Sequence, residues 1–184
     1  MTDKIRDPLS KVGRFGAPFC YLLDVAHVPD EGLDIAISAN PQERQALADF
    51  NKIPKIGHLD AAFHVVTRGE GCFNVSGEVH ARITQICVAS LDPFESDVVE
   101  TIDVDFAPQD QIETISVDLD TEEPPDPIID GKIDLGALAG EFLALGLDPY
   151  PRKPGARFEL ANGIGGPRDV DSPFEILKQL NTLK

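Results

Sequence analysis

KIGHLDAAFHVVTRGEGCFNVSGEVHARITQIC, from Lys55 to Cys87, sets two alternating runs of apolar and polar side chains on either side of Gly69-Glu70-Gly71. In the first run Leu59, Ala61, Phe63 and Val65 share one parity, and His58, Asp60 and His64 share the other. In the second run Phe73, Val75, Val79, Ala81, Ile83 and Cys87 alternate with Asn74, Ser76, Glu78, His80, Arg82 and Thr84. Successive side chains of a strand point to opposite faces, so each run reads as a half-buried strand. The glycines predict a three-residue hairpin loop that uses left-handed backbone. Pairing Val65 with Val75 then places Phe63 opposite Gly77 and Asp60 opposite His80.

The pattern continues downstream. From Val98 to Phe106, Val98, Ile102, Val104 and Phe106 are apolar while Thr101, Asp103 and Asp105 are polar, which predicts a third strand and an antiparallel meander. One face of such a sheet needs an apolar cover, and the stretch from Leu135 supplies a candidate. Asp130-Gly131 is a turn pair, Asp134 is positioned to cap a helix, and Leu135, Leu138, Ala139, Phe142 and Leu143 form one helical stripe ended by Gly146 and Pro149. Leu138, Phe142 and Leu143 are expected to be buried against the sheet. The fold class that follows is α+β: an antiparallel β meander or partly closed sheet covered by an amphipathic helix, with short additional helices.

Those additional helices have their own signals. Asn40, Pro41 and Glu43 make a capping-box start for a helix from Pro41 to about Asn51, with Ala46, Leu47 and Phe50 as a modest apolar face. Ser172, Pro173 and Glu175 predict a second such start, with a helix from Pro173 to Leu183. A strand is expected near Phe19–Asp24.

At 184 residues the chain suits a single domain over 16–184 preceded by a basic arm over 1–15, and it is long enough to bury about 70% of its unfolded surface. The formal net charge is −16, unevenly placed. Residues 92–130 contain fourteen Asp and Glu and no Lys or Arg, whereas residues 1–14 and 149–184 are each net +2. The acidic region repels nucleic acid, DNA included, so any phosphate contact belongs at the two ends. Within the acidic region, the prolines and acids of about 107–127 predict a mobile loop. No apolar run reaches membrane-spanning length and the first residues lack a secretory core, so a cytoplasmic protein without membrane contact is expected. Cys20, Cys72 and Cys87 match no usual zinc spacing and are expected as free thiols.

Chemistry-bearing patterns are sparse. Cys87 on the inward parity reads as a small buried hydrophobe. Asp60, His80 and His58 form a conceivable acid–base or metal half-site, but such cross-strand pairs commonly serve as surface contacts. Asp103 and Asp105 share a face and read as solvated strand acids. Gly163-Ile164-Gly165-Gly166 lacks the spacing and context of a nucleotide loop. After Gly146 the segment Pro149-Tyr150-Pro151-Arg152-Lys153-Pro154 holds two cations on proline-stiffened backbone, with Arg157 just beyond. No cofactor, no metal and no catalytic residue is expected, and the chain reads as a non-enzyme.

Taken in order, these landmarks resemble the bacterial YceD family: the helix start Asn40-Pro41-Gln42-Glu43-Arg44, the segment VSGEVHARITQICVASLDPF from Val75 to Phe94, the acidic continuation, and DPIIDGKIDLGALAGEFLALGLDPYPRKPGARF from Asp126 to Phe158. The family motif positions here are Cys87, Asp130, Gly131, Pro149, Pro151 and Pro154, read as structural. Many sequences of that family carry a second cysteine three residues after the first; here the two positions are Cys87 and Ser90, a departure that bears on any metal or redox role of such a pair. The resemblance implies a noncatalytic factor promoting accumulation or processing of large-subunit (23S) ribosomal RNA. Its partner would be that RNA or a basic ribosomal protein, and charge placement points to Arg152, Lys153 and Arg157 as the contact. The alternative is an acidic adaptor that recruits a basic ribosomal or RNA-processing protein without touching RNA.

Overall fold

The alternation of apolar residues from Leu33 to Phe106 builds most of the molecule. The computed structural model describes residues 17–112 and 124–156; the arm over 1–15, the helix expected from Pro173 and Arg157 lie outside them. In chain order come β1 (Leu22–Asp24), a 3-10 turn (Val25–His27), β2 (Leu33–Ser38), α1 (Pro41–Asn51), β3 (Lys55–Gly69), β4 (Cys72–Ile86) and β5 (Pro93–Pro108). Then follow α2 (Gln109–Ile112), β6 (Asp126–Ile128), β7 (Lys132–Asp134) and α3 (Leu135–Leu145). The architecture is α+β with a mixed, mostly antiparallel sheet in the order β2-β3-β4-β5-β6, and a separate antiparallel pair β1-β7.

The β3–β4 register has Val65 opposite Val75, Phe63 opposite Gly77 and Asp60 opposite His80. Gly77 is required at its site, because a Cβ there would stand 2.1 Å from the Ala62 carbonyl oxygen. The connection is tighter than the sequence suggests: Gly69 already pairs with Cys72 after a register shift, leaving Glu70 and Gly71 as a two-residue turn with φ of 54° and 78°. Both values are positive, as a type I′ hairpin turn demands. Asp130 and Gly131 repeat the solution, with φ of 50° and 68° between the bridged Ile129 and Lys132.

The sheet is larger than a three-strand meander. β2 adds an antiparallel edge beside β3, placing Ile37 across from Ala61, and β6 adds a short parallel strand beside β5. The expected loop over 107–127 shrinks accordingly: Ala107 and Pro108 belong to β5, α2 follows, and β6 starts at Asp126. β1 is also shorter than Phe19–Asp24, although Phe19 is buried in the core.

Both longer helices begin at the residues their caps indicate. Asn40 Oδ1 accepts from the amides of Gln42 and Glu43, and Glu43 Oε2 accepts from the Asn40 amide at 2.7 Å. Leu47 and Ala48 are the buried face of α1, while Phe50, expected on that face, is 70% exposed. Asp134 Oδ1 accepts from Gly136 and Ala137 at the start of α3 and also from the Tyr21 amide at 2.9 Å. One carboxylate therefore caps the helix and fastens the N-terminal segment to it. Leu135, Leu138, Ala139 and Leu143 enter the same core as Leu59, Phe63, Val79 and Ile102. Phe142 differs from expectation: it is partly buried and packs at the margin of that core.

Gly136 tests this junction. Alanine inside an open helix is favoured over glycine by about 1 kcal/mol, but here a Cβ would stand 2.6 Å from the Tyr21 nitrogen and 2.7 Å from the Cys20 Cα. Gly136→Ala is expected to lose about 1–3 kcal/mol in denaturant unfolding. An unchanged or raised midpoint contradicts the close packing of α3 on residues 20–21.

Candidate functional site

The proline-stiffened segment after α3 is fixed to the body by backbone bonds that reach across the chain. The Val88 amide donates to the Pro151 carbonyl at 2.9 Å, and the Gln85 side-chain amide donates to the Asp148 carbonyl at 3.2 Å. The turn between β4 and β5 closes on itself through Leu91 N–H to the Cys87 carbonyl and Cys87 N–H to the Asp92 carbonyl, each at 2.9 Å. Turn and segment together form one tip of the molecule. Pro151 and Pro154 add φ restraint, and Ala156 N–H closes a small turn onto the Lys153 carbonyl at 3.0 Å.

Of the three cations expected to act together, Arg152 and Lys153 are exposed on this tip, and Arg157 lies outside the described residues. Lys153 Nζ stands 3.9 Å from Asp92 Oδ2, a long and solvent-exposed ion pair. Such pairs are worth about 0–1 kcal/mol and yield readily to a competing phosphate. Arg152 has no ion-pair partner among the described residues.

The opposite end of the sheet holds Asp110 in α2 and Asp126 in β6. Gln111 in α2 donates to the Glu70 carbonyl at 2.8 Å and accepts from the Cys72 thiol, and β6 pairs with the end of β5 beside Phe106. Between that end and the tip runs β4, from Cys72 to Ile86. At about 3.3 Å per residue its length is roughly 45 Å, several times the physiological Debye length of about 8 Å. The Arg152–Lys153 segment is thus electrostatically separated from Asp110 and Asp126, whereas Asp92 lies within the tip beside Lys153.

Cys87 sits inside the tip with no solvent exposure, and all three cysteines are free. Its thiol is lowered to about 7, first by the Ser90 side chain, then by the Lys153 and Ser90 amides, against the opposing effect of burial. The Ser90 amide is 3.4 Å from the sulfur. Serine at the position three residues on thus serves as a hydrogen-bond partner of Cys87, and the Lys153 amide joins the turn to the cationic segment. The largest contribution, from Ser90, lies three residues away, while the Lys153 donor arrives from a distant part of the chain that no local spacing reports. Cys20 behaves oppositely: burial, followed by the hydrogen bond and charge of Asp134 and the charge of Glu43, raises it to about 12.

The sheet face turned away from the core carries His58, His64 and His80. His58 pairs with Asp60 on its own strand, and Asp60 also accepts from Ser38; His80 pairs with Glu78. Asp60 and His80 are ladder neighbours, but their side chains take these other partners. His64 Nδ1 lies 2.6 Å from Asp34, and Arg82 holds Asp97 through two contacts of 2.7 Å, which lowers that carboxyl. Asp103 and Asp105 do share a face, where the buried Asn74 amide donates to both at 2.8 and 2.9 Å. A shallow groove of about 500 Å³ crosses this face beside His58, His80, Arg82, Asp97 and Val99. Among the described residues no group of three or more His, Cys, Asp or Glu is arranged to hold a metal ion.

The thiol chemistry is measurable. Ultraviolet titration of thiolate should show one group ionising near pH 7, absent in Cys87→Ala, and another still protonated at pH 10. A folded-state value below the unfolded one of about 8.5 adds stability above that pH, and the gain is lost as pH falls through about 7. The thermal midpoint difference between the native chain and Cys87→Ala should therefore shrink from pH 9 to pH 6; a difference independent of pH contradicts the hydrogen-bonded thiolate.

No helix among the described residues is long and apolar enough to cross a membrane. Comparison with characterised proteins and with solved structures finds no match. A family model does match, over residues 75–181, which takes in β4 from Val75 onward, β5, α3 and the whole tip. The chain belongs to the family described as large ribosomal RNA subunit accumulation protein YceD.

Proposed function

We propose that the chain is a noncatalytic cytoplasmic factor that promotes accumulation or processing of 23S ribosomal RNA by touching that RNA through the tip. Membership of a family named for large-subunit ribosomal RNA accumulation supplies the process. The observation that carries the contact is the placement of Arg152 and Lys153, held on a pinned segment about a strand's length from Asp110 and Asp126. Phosphate attraction is screened by acids within about 8 Å; Asp110 and Asp126 stand a strand's length away, and Asp92, within the tip, holds Lys153 only through an exposed 3.9 Å contact that a phosphate can displace.

A second reading is favoured by the outer sheet face, where Asp34, Asp60, Glu78, Asp97, Asp103 and Asp105 outnumber the single Arg82 along the central rows. It makes the chain an adaptor for a basic ribosomal or RNA-processing protein, without RNA contact. Complementation separates the two. In a deletion strain, joint replacement of Arg152, Lys153 and Arg157 by Gln should leave the fold intact and lower mature large-subunit ribosomal RNA. A folded triple variant that restores wild-type RNA overturns the tip assignment. Loss of function on replacing Asp60, Glu78 and Asp97 by Asn would then support the adaptor.

A further inference from the structure

The tip exposes more apolar surface than phosphate contact uses. Eight large hydrophobic side chains stand exposed among the described residues, and four of them, Ile86, Val88, Leu91 and Tyr150, belong to this one end. Tyr150 and Leu91 are 74% and 75% exposed, and hydrophobic side chains gathered at one end mark an interaction surface more than scattered ones do. Leu91 also holds a φ of 62°, a left-handed conformation that is strained for a branched side chain.

Tyr150 is held for presentation. Proline precedes and follows it, its amide donates to Asp148 Oδ1 at 2.8 Å, and the next carbonyl accepts from Val88. A backbone restrained on both sides loses little further freedom when the ring meets a ligand. Beside it stand Arg152, which has no ion-pair partner among the described residues, and Lys153, whose ammonium lies 3.9 Å from Asp92. An exposed aromatic ring on stiff backbone next to cations is the chemistry that recognises an unpaired base and its phosphate. Every base has a π-face for the ring, and the cations follow the backbone. Duplex RNA hides those base faces.

We propose that the tip is a site for single-stranded RNA in which Tyr150 is the base-stacking platform, Val88 and Leu91 form its apolar flank, and Arg152 and Lys153 hold the adjoining phosphates. The proposal rests on the RNA reading above and adds to it the state of the RNA and the group that distinguishes that state.

The test measures binding of the full chain to a single-stranded oligoadenylate and to an RNA duplex of the same length, across a salt series. The native chain should prefer the single strand. Tyr150→Ala should weaken oligoadenylate binding by about 5- to 150-fold, the range for loss of one base–aromatic stack, with an unchanged salt slope. Tyr150→Phe should bind like the native chain, and Tyr150→Leu, which keeps bulk without a π-face, like the alanine variant. Replacing Arg152 and Lys153 by Gln should lower the slope by about 0.7 for each phosphate that is no longer neutralised. If all Tyr150 variants bind like the native chain while the cation variant weakens, stacking is overturned and the RNA reading stands. If the cation variant binds normally while Tyr150→Ala weakens, the charge assignment falls and the stacking platform remains. A native chain that binds neither RNA overturns both.

Discussion

The register between β3 and β4 is the constraint on which the rest of the molecule depends. With Val65 opposite Val75, Leu59, Phe63, Val65, Phe73, Val75, Val79 and Ile83 all face the core, and a shift of one residue would exchange that face with the row of histidines and carboxylates. Gly77 helps set it, since the backbone of Ala62 and Phe63 occupies the space a side chain would need. From this ladder the order of the sheet follows: β2 extends it on one side, β5 and β6 on the other, and α1 and α3 contribute Leu47 and Leu143 to the core on the buried face. The same ladder sets the distance of the tip from Asp110 and Asp126, which lie at the other end of the long strands.

Much of this was legible because period-2 alternation and helix caps are local signals. Val75, Val79, Ala81 and Ile83 declare their face by parity alone, and Asn40 and Asp134 announce their helices within four residues. Strand β2 carries the same alternation in Leu33, Ile35 and Ile37, yet it is only six residues long and lacks a hairpin partner adjacent in sequence. β6 pairs in parallel across a long connection, which no local pattern reports. Phe50 and Phe142 show the limit of helical stripes: spacing identifies a face, but only the neighbouring elements decide how far each residue of that face is covered.

The candidate site divides along the same line. The cations of Pro151–Pro154 and the acids of residues 92–130 could be placed from composition. The distance of those cations from Asp110 and Asp126, the bond from Val88 to Pro151, and the Lys153 amide's share in lowering the Cys87 thiol depend on contacts between residues far apart in the chain. Such contacts also change the character of the segment. It behaves as part of the β4–β5 turn, so the aromatic ring, the cations and the buried thiol of this end form one unit.

The central claim is that an acidic chain meets ribosomal RNA through one small tip while its sheet face stays clear of phosphate. Ultraviolet crosslinking in living cells, followed by identification of the crosslinked peptides and of the attached RNA, tests it most directly. The account predicts crosslinks to large-subunit ribosomal RNA within residues 86–92 and 148–157. RNA crosslinks concentrated on β2–β5, or crosslinks only to a basic protein through those strands, would contradict it.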